Sequence, residues 1–294
     1  MAPEIYAEFL GLISDENPLG KVSELRARVS QLLNTVMSAT VASGQYNWLI
    51  IHDPLTMTRP DADRIYKATT TLREKRDIGL VITSGGGQIE PAYLISKLCR
   101  EVTFNKFVTV VPRRAKSGAT LICCGADEIH MGQLSELGPI DPQLDKLPAL
   151  GLKNAVEHLA ELVTQYPKAA EMFSKYLTSS LDLENLGYYE RVAESAAQYA
   201  ERLLGRRISP LKSKPEEVAQ HLVYGYKDHG FVIDRMEAES IFGSAMVKGG
   251  TAEYELGNRI YEWLSMIERA CDTFGYSFYF YGVADSDANF VKKK

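Results

Sequence analysis

The sequence predicts an α/β fold, with units of strand, turn and helix laid into a parallel or mixed sheet by crossover connections. Three observations carry that prediction. Short apolar runs of strand type recur at residues 48–51, 78–82, 103–111 and 128–131. Stretches with apolar residues at helical spacing separate them. Two glycine turns follow strand runs and open helices: Thr83-Ser84-Gly85-Gly86-Gly87 before residues 89–100, and Ser117-Gly118 before residues 119–125.

Taken in order, residues 3–14 and 20–42 carry helical spacing, and Asn17-Pro18-Leu19-Gly20 supplies the breakers between them. The first strand run ends at His52-Asp53-Pro54, and a polar loop leads to a helix near Asp61. After the strand at 128–131 comes the loop Leu137-Gly138-Pro139-Ile140-Asp141-Pro142. Residues 150–205 are rich in helix formers and predict two or three amphipathic helices. Helices are expected at 215–225, 234–242 and 253–271, then an aromatic strand at 276–282 and a polar, frayed end. The expected organisation is an N-terminal helical arm (1–45), a main domain (46–248) with a helical insertion around 150–205, and a C-terminal helix and strand extension (249–294).

Of the 294 residues, 45% are hydrophobic and 24% charged, enough apolar material for a sizeable core. A net charge of −5 with scattered basic residues argues against a nucleic-acid partner. Cys99, Cys123, Cys124 and Cys271 show no CxxC spacing, which fits buried thiols in a reducing, cytoplasmic setting better than disulfides or zinc ligands. No apolar run is long enough for a membrane span, and no secretory signal pattern begins the chain. His52-Asp53 is an unsuitable metal pair because strand neighbours face opposite sides, so no metal is expected. His130 lies on a short strand beside Met131, and His158 and His221 lie on amphipathic helices, where a half-exposed surface position is the ordinary explanation.

Both glycine turns fall at the carboxyl edge of the sheet, where open α/β sheets bind ligands. In Ser84-Gly85-Gly86-Gly87-Gln88 the missing side chains let a backbone amide approach developing negative charge; a tight strand-to-helix turn needs the same glycines. The run lacks the Gly-Lys-Ser/Thr ending of a phosphate loop. A serine at a helix start most often caps it. As a nucleophile, Ser117 would have the positive helix end and the Gly118 amide beside it. These residues by themselves admit both readings.

Four motifs occur in order: Thr83-Ser84-Gly85-Gly86-Gly87, Ala115-Lys116-Ser117-Gly118-Ala119-Thr120, Ala126-Asp127-Glu128-Ile129-His130-Met131 and Leu137-Gly138-Pro139-Ile140-Asp141-Pro142-Gln143. Together they resemble the serine dehydrogenase proteinase family of the Clp/crotonase fold, related to signal peptide peptidase A and the Clp protease proteolytic subunit. The likeness covers residues 47–145 and returns thinly at 229–238. It departs at the nucleophile turn, where Ser-Gly-Ala-Thr replaces the family's Ser-Ala-Gly-Thr.

The resemblance implies a Clp/crotonase-like core of repeated β-β-α crossover units with added N-terminal, middle and C-terminal helices. It implies Ser117 as nucleophile, the amides of Gly87 and Gly118 as oxyanion hole, and a serine peptidase needing no cofactor. It also implies a homo-oligomer acting on peptides or unfolded protein. The family's histidine and aspartate positions hold Asp141 and His229 here, so the acid and the imidazole stand exchanged in a Ser117, His229, Asp141 triad. A Ser-Lys dyad, as in signal peptide peptidase A, would use Lys116, Lys146 or Lys153 as the base. Thioester chemistry on acyl-coenzyme A and a non-catalytic peptide-binding scaffold are the alternative functions. No Gly-x-Gly-x-x-Gly fingerprint supports nicotinamide chemistry.

Overall fold

The apolar strand runs lack polar alternation because helices cover both faces of the sheet they form. The computed structural model describes residues 2–141, 143–144, 147–180 and 183–293, without the side chains at 41, 142–156 and 176–190. Helices α1 (Ala2–Ile13) and α2 (Val22–Ser38) precede β1 (Tyr46–Asp53), α3 (Arg59–Thr70), β2 (Asp77–Ser84), α4 (Ile89–Val102) and β3 (Phe107–Val111). Then come β4 (Arg114–Ala115), α5 (Gly118–Cys124), β5 (Glu128–Met131) and β6 (Glu136–Leu137). A short ribbon, β7 (Gln143–Leu144) and β8 (Leu147–Pro148), leads into α6 (Ala149–Gln165), α7 (Ala170–Ser180) and α8 (Leu183–Leu204). The chain continues through α9 (Pro215–Tyr224), α10 (Arg235–Phe242), β9 (Val247–Lys248) and α11 (Ala252–Thr273) to the hairpin of β10 (Tyr276–Gly282) and β11 (Asn289–Lys292).

Strands β1, β2, β3, β5 and β9 lie side by side and parallel, while β10 and β11 extend the β1 edge antiparallel, making a mixed sheet. The β1–β2 register sets Leu49 beside Leu80 and Ile51 beside Ile82. These side chains share a core with Ile65 of α3, Ile95 of α4, Ile122 of α5, Leu203 of α8 and Leu222 of α9. Trp48, Ile50, Val81 and Val110 point to the other face and pack with Phe9, Leu25, Val29, Ile260 and Leu264 from α1, α2 and α11. Burying each such side chain contributes about 1.5–3 kcal/mol, so both helical layers are integral to the sheet. The aromatics of β10 serve both layers: Phe278 and Phe280 join the α1/α2/α11 side, and Tyr281 joins the other.

Two expectations are corrected. The strand expected from residue 103 starts only at Phe107, because Asp77 Oδ1 accepts from the amides of Asn105 (2.7 Å) and Lys106 (2.9 Å) and bends the chain into a turn. The C-terminal end expected to fray instead pairs as β11 with β10, and Phe290 packs 5.6 Å from Phe278 and 6.2 Å from Phe9 between ring centroids. Among the described residues no helix is long and apolar enough to cross a membrane.

Candidate active site

The two glycine turns meet at the carboxyl ends of β2 and β4. Ala115 of β4 pairs with Ser84 of β2, and Lys116 N–H donates to Ser84 O at 3.1 Å. The chain then reverses sharply into α5, with Ser117 at φ 50° and ψ −117°, the one non-glycine residue with positive φ among the described residues. A capping serine has an extended backbone and an oxygen turned onto the first helix amides. Ser117 has neither, and its Oγ finds no hydrogen-bond partner among the described residues, His229 included.

Close approach explains Gly86 and Gly87 of the other turn, whereas Gly85 has open space around its Cβ position. A Cβ on Gly86, itself at φ +103°, would lie 2.6 Å from Lys116 O and 2.8 Å from Ser117 Cβ. One on Gly87 would overlap the backbone of Met57, which brackets the turn by donating to Gly86 O at 3.0 Å and accepting from Gln88 N–H at 3.0 Å. One on Gly118 would lie 3.3 Å from Gly87 N, so the two amides share one small space beside Ser117. Neither N–H donates to an acceptor among the described residues.

The other two motifs brace this arrangement. Thr120 Oγ1 donates to Ala115 O (2.6 Å) and accepts from Gly138 N–H (3.1 Å), tying the 137–141 loop to α5. Leu137 and Ile233 exchange backbone hydrogen bonds at 2.9 and 3.1 Å, which brings the 228–233 turn alongside. Asp127 accepts from Arg100 (2.5 Å), Phe107 N–H (2.9 Å) and Ile208 N–H (2.7 Å), so the Ala-Asp-Glu-Ile motif is a buried structural anchor.

Asp141 and His229, 88 residues apart in sequence, come together on these braced segments. His229 Nδ1 lies 3.9 Å from Asp141 Oδ2, longer than a hydrogen bond. His229 Nδ1 and Asp141 Oδ1 are both buried without a hydrogen-bond partner. Burial pushes the Asp141 carboxyl up to about 6 and lowers His229 below its ordinary value, a shift that the nearby Lys116 charge reinforces. Catalytic hydrogen bonds are often long in a free enzyme and tighten around substrate.

Lys116 Nζ donates to Phe231 O at 3.0 Å and pairs with Glu136 Oε2 at 3.2 Å. Lys146 lies outside the described residues, and Lys153 is described only for its backbone in α6. The cysteines are free and buried, and burial pushes Cys99, Cys123 and Cys271 up to about 12, so they offer no competing nucleophile. His52 Nε2 lies 2.6 Å from Glu268 Oε2 while Asp53 accepts from Tyr281 OH at 2.6 Å, on opposite faces of β1. His130 Nδ1 is 2.8 Å from Thr251 Oγ1. Among the described residues no cluster of three or more His, Cys, Asp or Glu could hold a metal. A cavity of about 850 Å³ is lined by Arg64, Arg73, Tyr281 and Asp285 among others and includes no residue of the Ser117 turn.

Strained serine, paired glycine turns and braced loop all fall within the one stretch of the chain that a known family covers. The family model described as ClpP-like SDH-type serine proteinase matches residues 36–164. That is under half of the chain; it contains Ser117, Gly87, Gly118 and Asp141 and leaves His229 outside. The match supports a Clp-protease-related fold.

Two uncharacterized proteins of Methanocaldococcus jannaschii are similar to the chain. One is 37% identical over 101 residues, covering 34% of this chain and 35% of the relative. The other is 26% identical over 175 residues, covering 60% and 54%. The chain thus spans between about a third and about half of the length of the curated relatives it matches. No solved structure matches it.

What the sequence did not signal is the bracing. Met57, Thr120 and Glu136 act through backbone or single polar contacts that no spacing rule announces. The His229 position was visible only through the thin family likeness at 229–238; its turn is closed by Gly230 N–H donating to Asp228 Oδ1 at 3.0 Å.

Proposed function

We propose that the chain is a serine peptidase of Clp/crotonase type that cleaves peptide bonds through an acyl-enzyme on Ser117. The observation that carries this reading is the Ser117 backbone: a strained, uncapped serine beside the free amides of Gly87 and Gly118. Ser117 Oγ attacks the scissile carbonyl and His229 takes its proton, while the carbonyl oxygen, now an oxyanion, accepts from Gly87 and Gly118 N–H. Asp141 holds the imidazole in the tautomer that leaves its other nitrogen free to accept. The intermediate collapses as His229 returns the proton to the leaving amine; water, deprotonated in the same way, then releases the acid. The lowered His229 pKa supports this role by keeping the ring neutral, and so basic, near pH 7.

Buried free thiols fit action in a reducing compartment, and the fold resemblance supports a homo-oligomer. The test is labelling of the full chain by a fluorophosphonate, with cleavage of a peptide library beside an acyl-coenzyme A panel. Labelling confined to Ser117, peptide turnover, and loss of both in His229→Gln are expected. Full activity in His229→Gln would remove the histidine from the mechanism. Thioester turnover without peptide turnover would replace the substrate class.

A further inference from the structure

Lys116 touches all three segments on which the proposed triad stands. It adjoins Ser117 in sequence. Its Nζ donates to Phe231 O at 3.0 Å and Gly230 O at 3.5 Å, on the turn that carries His229, and pairs at 3.2 Å with Glu136, on the strand that leads to Asp141. The side chain is 15% exposed, and its stem passes over Gly138, where a Cβ would stand 2.5 Å from Lys116 Cδ. The ammonium donates two of its three protons to these carbonyl oxygens, and the Glu136 carboxylate pairs with its charge. A general base must instead present a lone pair to its substrate, and these contacts use Lys116 as a donor and a cation.

We infer that Lys116 is a positioning residue, a cationic staple that holds the His229 turn and β6 against the Ser117 turn and so sets the reach of the imidazole to the nucleophile. The inference rests on the proposed role of His229. Geometry gives it a measurable consequence, because misplacement of a catalytic group by about 1 Å costs up to ~100-fold in rate. The staple also sets the electrostatics of the ring. The charged groups facing His229 are Asp141, Asp228 and Lys116, and the Lys116 cation disfavours the imidazolium. Without that cation the ring protonates at higher pH.

The experiment is the rate of fluorophosphonate labelling of the full chain against pH, for wild type, Lys116→Met, Lys116→Arg, Glu136→Gln and His229→Gln. Lys116→Met is expected to label about 10- to 100-fold more slowly, with the pH midpoint moved upward. Lys116→Arg, which restores charge and donors, is expected to recover the midpoint and most of the rate. Glu136→Gln leaves the cation less neutralised, so its midpoint moves downward with only a few-fold loss of rate. It decides the matter together with Lys116→Arg if Lys116→Met does not fold.

Wild-type rate and midpoint in Lys116→Met would overturn the inference. So would failure of Lys116→Arg to exceed Lys116→Met, or a midpoint unmoved by Glu136→Gln. His229→Gln separates the two levels: wild-type labelling in that variant overturns the histidine reading, whereas its loss beside an indifferent Lys116→Met overturns the staple alone.

Discussion

Replacing Asp141 with asparagine should make the protein more stable at neutral pH and less active. The Asp141 side chain is 8% exposed, one oxygen has no hydrogen-bond partner, and the other lies 3.9 Å from His229 Nδ1. Burial raises its pKa from 3.8 to about 6, so the folded state binds the proton more tightly than the unfolded state. Stability from this group is therefore fully present below the unfolded value and declines as pH rises through about 6. Two units at about 1.4 kcal/mol each set a ceiling of about 3 kcal/mol; solvent entering beside the partly exposed His229 brings the expected cost to about 1–3 kcal/mol. Asp141→Asn recovers that cost near pH 7.5 and no more than about 0.5 kcal/mol near pH 4, where the wild-type carboxyl is protonated when folded. Urea unfolding of both proteins at the two pH values measures the difference directly. On the proposed mechanism, fluorophosphonate labelling of the same samples falls by about 10³- to 10⁴-fold, because the imidazole loses its orienting partner. An equal gain at both pH values would refute the titration argument. A loss of stability near pH 7.5 would show that Asp141 is held as an ion pair with a protonated His229, reversing the sign.

Two further substitutions test the turns. Ser117→Gly relieves a backbone that only glycine adopts freely; against the extra entropy of the unfolded glycine, a net gain of about 1 kcal/mol is expected with labelling abolished, read by denaturant midpoint and probe. An unchanged midpoint would mean that Ser117 is not strained. Gly86→Ala places a methyl 2.6 Å from Lys116 O at a φ of +103°, so a loss of about 2–4 kcal/mol and slowed labelling are expected. A wild-type melting temperature would show that the two turns separate at little cost.

The sheet was legible in the sequence because its signal is local. Four short apolar runs, each ended by glycine, proline or aspartate, are strands buried on both faces, and their helical spacers are the crossovers. Strands β4, β6 and β9 were not visible, since two residues carry no periodicity and these segments are defined by the strands they meet. β11 was hidden for a related reason: its sequence, Asn-Phe-Val-Lys, reads as a polar tail until Phe290 finds Phe9 and Phe278. At the candidate site, composition marked the glycine turns, but what separates Ser117 from an ordinary cap is a dihedral angle. Asp141 and His229 were paired by resemblance to a family; the contact that joins them passes through Leu137 and Ile233, a long-range bridge that sequence spacing does not encode.

The cost of this arrangement argues that it is more than packing. A residue held where only glycine is comfortable costs of the order of 1–3 kcal/mol, and it persists only when its surroundings leave it no alternative. Here the β2–β4 pairing, the Gly86 contact and the Thr120 hydrogen bonds fix Ser117 from three directions. A turn selected for stability alone would place glycine at 117, or an extended serine whose oxygen caps α5. Nearby, His229 Nδ1 and Asp141 Oδ1 remain buried and unpaired, where an unmade hydrogen bond costs about 1–3 kcal/mol each. Packing tends to remove such deficits one at a time, by polar partners or apolar replacements. On the proposed mechanism, strain at Ser117 and missing partners at His229 and Asp141 have one explanation in common: groups kept incomplete because the substrate completes them.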